Sequence, residues 1–189
     1  GGEGDVKLGG LSDVSGTTLN SVAVGGGAKA VQLDVVIGSA AQSSVGGNVV
    51  IGKSATSSGG TAVVIGNTAT GAAFSTSVGG NTSTGANGVS VGNGANGTGS
   101  GISIGNQALS GNAGITIGNN ATGSATSVSI GSPAFTVGTN NIAIGQNSTT
   151  GIVNNAIAIG SASSNSEDCI AIGGNNTCLL YTSPSPRDS

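Results

Sequence analysis

The chain has no histidine, no methionine and no tryptophan, and its 189 residues include one tyrosine and two phenylalanines. Without histidine, both the usual general base and the commonest metal ligand are missing. Four basic residues against seven acidic ones leave a net charge of −3, which offers no footprint for nucleic acid or anionic lipid. From Val35 to Ser166 the only charged side chain is Lys53, so Ser, Thr and Asn must wet this stretch. Two cysteines are too few for a disulfide framework, and no histidine joins them in a metal set. No apolar run approaches the roughly 18 to 20 residues that cross a bilayer, so no membrane insertion by this segment is expected. There is no charged-then-apolar leader, and with no initiator methionine the sequence reads as an internal piece of a longer protein.

Glycine, by contrast, is abundant, at 38 residues. Twelve of them, Gly25, Gly38, Gly52, Gly66, Gly79, Gly92, Gly105, Gly118, Gly131, Gly145, Gly160 and Gly173, recur at intervals of 13 to 15 residues. Each closes the same phrase. With the glycine as position 0, positions −3 and −1 are Val or Ile in 23 of 24 instances, Thr76 being the exception. A disordered glycine-rich linker has no reason to hold β-branched residues at fixed phase, so the pattern is a folding instruction.

Side chains alternate along a strand, so positions −3 and −1 share one face and position −2 takes the other. Position −2 is small or short throughout, from Ala23, Val36, Val50 and Val64 to Ser77, Ser90, Ser103, Thr116, Ser129, Ala143, Ala158 and Ala171. Position +3 is Ala in eight copies, where a second, slimmer strand begins. Two short strands and two tight turns fill one coil, which predicts an all-β, parallel β-solenoid of about twelve coils. Val and Ile at −3 and −1 are expected to face Ala inside it, with the twelve glycines as structural pivots at a corner. Stacked about 4.8 Å apart, such coils form a rod on the order of 55 Å long.

Two aliphatics and an alanine per coil are little burial to set against the ordering of some thirteen backbones. Further burial is therefore expected from self-association. The small −2 face, especially Val36, Val50 and Val64, is the expected contact between identical chains.

The phrases NSVAVGGGAKA from Asn20, NNIAIG from Asn140 and NAIAIG from Asn155 resemble the head repeats of trimeric autotransporter adhesins of the YadA type. The resemblance covers residues 20 to 177. It implies a left-handed β-roll, a homotrimer, display at the bacterial outer membrane facing outwards, and attachment to extracellular matrix or a cell-surface receptor. The family's repeat motif is structural and carries no ligand residue. No coiled-coil heptads, neck or anchor barrel is present in this sequence.

Residues 1 to 19 lack the repeat phase and read as an N-terminal connector. Their LSDVSGTT also resembles segments of phage tail-fibre proteins, which keeps open a virion structural or receptor-binding role. The last residues, CLLYTSPSPRDS, break composition abruptly. They resemble a translated sequencing adaptor, which implies a non-native tail over 178–189 and a natural rod that continues. Cys169 then has no partner in the chain and reads as a small residue at a strand start.

No site for chemistry emerges. Gly92, Gly94 and Gly97 satisfy the spacing of a dinucleotide-binding loop, as do Gly25, Gly27 and Ala30 in its alanine variant. Neither is followed by a helix or by the acid such a site needs. Glu167 and Asp168 are adjacent and diverge if extended, which reads as a solvated loop. The single GGEGD from Gly1 lacks the neighbouring copies of a calcium-binding roll. The Asn-X-Ser/Thr triplets at Asn81, Asn96, Asn120, Asn147 and Asn176 are expected from composition. Position +4 holds Thr in several coils, but Leu109 and Phe135 interrupt the rank an ice-binding face would need. No enzyme activity, cofactor or metal is expected.

Overall fold

The computed structural model describes residues 4–14, 20–161, 163–164, 166–175 and 177–178. Every element is a strand, and they form two parallel sheets of thirteen strands each, with successive coils as neighbours. The first sheet is built from three-residue strands such as Val22–Val24, Val35–Ile37 and Val49–Ile51, which end at the pivot glycine. The second holds mostly two-residue strands such as Lys29–Ala30, Gln42–Ser43 and Thr56–Ser57, at positions +4 and +5. Register is maintained coil to coil: Val35 pairs with Val49, Val36 with Val50 and Ile37 with Ile51.

The alternation is as expected, but the sides are reversed. Position −2 is buried in all twelve repeats, with Val36, Val50 and Val64 fully enclosed. The Val and Ile at −3 and −1 point outwards and are half-buried or exposed in the single chain. The interior consists of positions −4 and −2 from the first sheet facing +3 and +5 from the second, for instance Asp34 and Val36 with Ala41 and Ser43. The expected self-association through Val36, Val50 and Val64 is therefore corrected, because those side chains are spent on the coil's own core.

The corners explain the inversion. In the 13-residue coils each closes within four residues: Ala28 N–H donates to Gly25 C=O at 3.2 Å on one side, and Gly101 N–H to Thr98 C=O at 3.1 Å on the other. Such turns bring their end Cα atoms within about 7 Å, closer than the roughly 10 Å between sheets that enclose full-sized side chains. The gap takes nothing larger than a valine, and that only opposite a small partner, as with Val36 and Ser43 or Val50 and Ser57. The paired Val and Ile at −3 and −1 occupy the outside.

The stacking also extends into the stretch read as a connector. Val6–Leu8 pairs with Val22–Val24, and Asp13–Val14 with Lys29–Ala30. Gly9, with φ of 117°, occupies the corner beneath Gly25, but at 16 residues' distance. At this end Lys7 stands in register with Ala23, an inward position elsewhere, and its Nζ lies 3.7 Å from Asp13 Oδ1.

At the far end, Cys169 occupies buried position −4 just before Ile170–Ile172. It is disulfide-bonded, which corrects its reading as an unpaired small residue. The backbone of Thr177–Cys178 continues the second sheet. Residues 179–189, to which most of the adaptor resemblance applies, lie outside the described residues.

Candidate functional site

The twelve pivot glycines form a column along one corner, with φ between 99° and 147°. Their conformation is only part of the requirement. A Cβ on Gly25 would stand 2.6 Å from the carbonyl of Gly38, and from Gly38 to Gly160 each meets its successor in the same way. Two residues on, Ala40, Ser54, Thr68, Asn81, Gln107, Asn120 and Asn147 have φ between 54° and 58°, a left-handed position that asparagine tolerates best. The opposite corner has an equivalent at −5, where Leu33, Phe74, Asn87, Asn140 and Asn155 all have φ between 56° and 60°. Only the first of these three positions carries a sequence signal, because asparagine, threonine and alanine share the other two without uniformity.

Position −4 carries a second device that the repeat phrase does not reveal. Buried Asp34 accepts Asn48 N–H on Oδ1 at 2.8 Å and Val31 N–H on Oδ2 at 2.7 Å. Asn48 in turn accepts Ala62 N–H at 2.7 Å. Asn141 repeats the step, receiving an N–H from Ala156 at 2.8 Å. A polar side chain here reaches up to the next coil and satisfies a backbone donor that would otherwise be buried without a partner. Ser127 does the same, accepting Asn141 N–H at 3.1 Å, whereas Ala62, Gly88, Gly101, Gly114 and Ala156 at this position have no side-chain acceptor to offer.

None of this brings together reacting groups. Gly92 and Gly94 lie at a corner and Gly97 in the strand Asn96–Gly97, so the loop motif is a by-product of the coil. Gly25, Gly27 and Ala30 repeat that placement. Glu167 and Asp168 are exposed at the −5 corner, where Asn154 and Asn155 donate to them at 3.4 and 3.1 Å. Among the described residues no group of three metal-ligating side chains converges, and no helix is long and apolar enough to cross a membrane.

What the molecule does present is surface. The outer face of the first sheet is a flat strip of Val and Ile two residues wide, interrupted at Thr76. It ends in Ile170 and Ile172, 60% and 61% exposed. The outer face of the second sheet is mainly polar, with Lys29, Gln42, Thr56, Thr70, Ser83 and Asn96, and then Leu109 and Phe135 on either side of Thr122.

Fold and surface together define a narrow parallel β-solenoid with glycine corners and an uncovered apolar side. Among solved structures, the chain is similar to the collagen-binding domain of the Yersinia adhesin YadA, at 20% identity and a TM-score of 0.41. The match covers 98% of this chain and 90% of that one. At that level the likeness carries no functional inference. No protein-family model matches the sequence, and no curated protein does.

Proposed function

We propose that this chain is part of the head of a surface-displayed bacterial adhesin, in which three copies associate along their Val and Ile faces and present the polar faces outwards. The observation that carries the reading is the apolar strip itself. A contiguous exposed strip of this kind along a rod is characteristic of a protein–protein interface. Its uniform register along the rod suits a partner with the same repeat, which is another copy of the chain. The trimeric order, the outer-membrane location and the adhesive role come from the resemblance of the NSVAVG, NNIAIG and NAIAIG phrases to YadA-type head repeats. The pivot glycines act as structural elements in this reading, residues 20 to 177 form the head, and no catalysis is assigned.

The ligand is a matrix protein or a cell-surface receptor, bound by the polar outer faces. The test is binding of the purified chain to immobilised collagen, to other matrix proteins and to host cells, with Ile65→Lys/Ile104→Lys, two exposed −1 positions of the apolar strip, as the comparison. The expected result is binding that weakens sharply when association is lost, because avidity falls with the number of linked sites. An associated chain that binds none of these surfaces contradicts the adhesive role.

A further inference from the structure

We infer that Phe74 and Leu33 are intersubunit anchors, which extend the apolar face around the corner and pack against a second copy of this chain. The inference rests on the self-association proposed above. Both residues sit at position −5, immediately beside the outward face: exposure alternates from Phe74 through buried Ser75 to Thr76, and from Leu33 through buried Asp34 to Val35.

Three observations converge on these two side chains. Their backbones are left-handed, with φ of 56° for each. A bulky residue there is disfavoured relative to the asparagine found at Asn20, Asn87, Asn140 and Asn155, and such strain persists where something else compensates. Within one chain nothing does, because Phe74 is 65% exposed and Leu33 63%.

The second observation is position. Phe74 is two residues from Thr76, the only position in the paired Val and Ile rows without an aliphatic residue. An aromatic at the margin supplies apolar surface where the strip itself is deficient.

The third is area. Three-residue strands about 10 Å wide, stacked about 4.8 Å apart, give thirteen coils a face of about 600 Å². A stable interface takes roughly 800 Å² from each partner. In a closed trimer that face is shared between two neighbours, so side chains at its margins must contribute. Of the −5 residues, Leu33 and Phe74 are the large apolar ones.

The chain contains no tryptophan, so Phe74→Trp introduces a single indole reporter, with Phe135→Trp on the outer face of the opposite sheet as reference. In the associated protein, the indole at 74 is expected to emit at shorter wavelength and resist iodide quenching relative to that at 135. Adding Ile65→Lys and Ile104→Lys should abolish the difference. Independently, Phe74→Ser is expected to raise the dissociation constant about tenfold, as loss of a buried aromatic anchor does, while Phe135→Ser leaves it unchanged. If the parent chain associates but both indoles are equally quenched and Phe74→Ser has no effect, the anchor assignment is overturned and self-association stands. If the parent chain is a folded monomer, both are overturned.

Discussion

Gly71 and Val64 face each other across the interior so closely that a Cβ on Gly71 would lie 2.6 Å from Val64 Cγ2 and 2.8 Å from Ser75 Oγ. The pair reveals how this core is filled. The sum of two facing side chains is limited: Val36 and Val50 are matched by Ser43 and Ser57, and Val64 by a glycine. Gly71→Ala is therefore expected to destabilise the fold by about 1–3 kcal/mol, the range for overpacking a tight core. Combining it with Val64→Ala should recover much of that loss. A thermodynamic double-mutant cycle followed by thermal unfolding reads the coupling directly.

Thr116 and Gly123 repeat this arrangement, with one difference. Thr116 Oγ1 is buried without a hydrogen-bond partner. Thr116→Val keeps the shape, removes an unsatisfied hydroxyl and reproduces the Val64–Gly71 pair. It is expected to raise stability by about 1–3 kcal/mol, the cost of a buried polar atom left unpaired. An unfolding midpoint equal to or below that of the parent would show that this hydroxyl is satisfied in solution.

Asp34 is fully buried and accepts two backbone N–H groups, one within its own corner and one from the next coil. Asp34→Ala leaves both donors without that acceptor and is expected to cost roughly 2–6 kcal/mol, from about 1–3 for each unsatisfied group. Asp34→Asn retains one acceptor oxygen, and Asn48 demonstrates that asparagine serves at −4. The expected order of denaturation midpoints is parent, then Asn, then Ala. A reversal of the last two would contradict the cross-coil role of the side chain.

Two substitutions at corners should move in opposite directions. Gly92 has φ of 133°, and a Cβ there would be 2.6 Å from the Gly105 carbonyl carbon, so Gly92→Ala combines strain with a backbone clash. Exposed Ala113 has φ of 56° with a Cβ already present. Ala113→Gly relieves a conformation that costs an L-residue roughly 1–2 kcal/mol, offset in part by the greater freedom of glycine when unfolded. A small gain at Ala113 and a large loss at Gly92, measured by chemical denaturation, are the expected outcomes.

The coil, its length and its pivot are legible in the sequence because they recur in the same residue types. Alternation at −3, −2 and −1 is legible too, since it follows from strand geometry alone. Which side of the alternation is inside is not: hydrophobicity favours Val and Ile at −3 and −1 as core. The turns decide otherwise by bringing the sheets so close that two bulky residues per strand do not fit, and only single valines such as Val36, Val50 and Val64 enter, each opposite a small residue. The signal that reveals this lies in the combination of −4, −2, +3 and +5, such as Ser90 with Gly97 or Ala23 with Ala30. All four positions are confined to small or short residues. The N-terminal coil escapes notice because Gly9 stands 16 residues before Gly25 and Lys7 occupies an inward position. The cross-coil role of Asp34 and Asn48 escapes because the donors it satisfies, Asn48 N–H and Ala62 N–H, lie one coil away, which no local motif marks.

In the proposed function, the outward Val and Ile face is covered by identical chains. Light scattering coupled to size-exclusion chromatography tests it most directly. The expected species has three times the mass of the 17.4 kDa chain and is reduced to a single chain by Ile65→Lys combined with Ile104→Lys. A folded parent protein that elutes with the mass of one chain at micromolar concentration would contradict it.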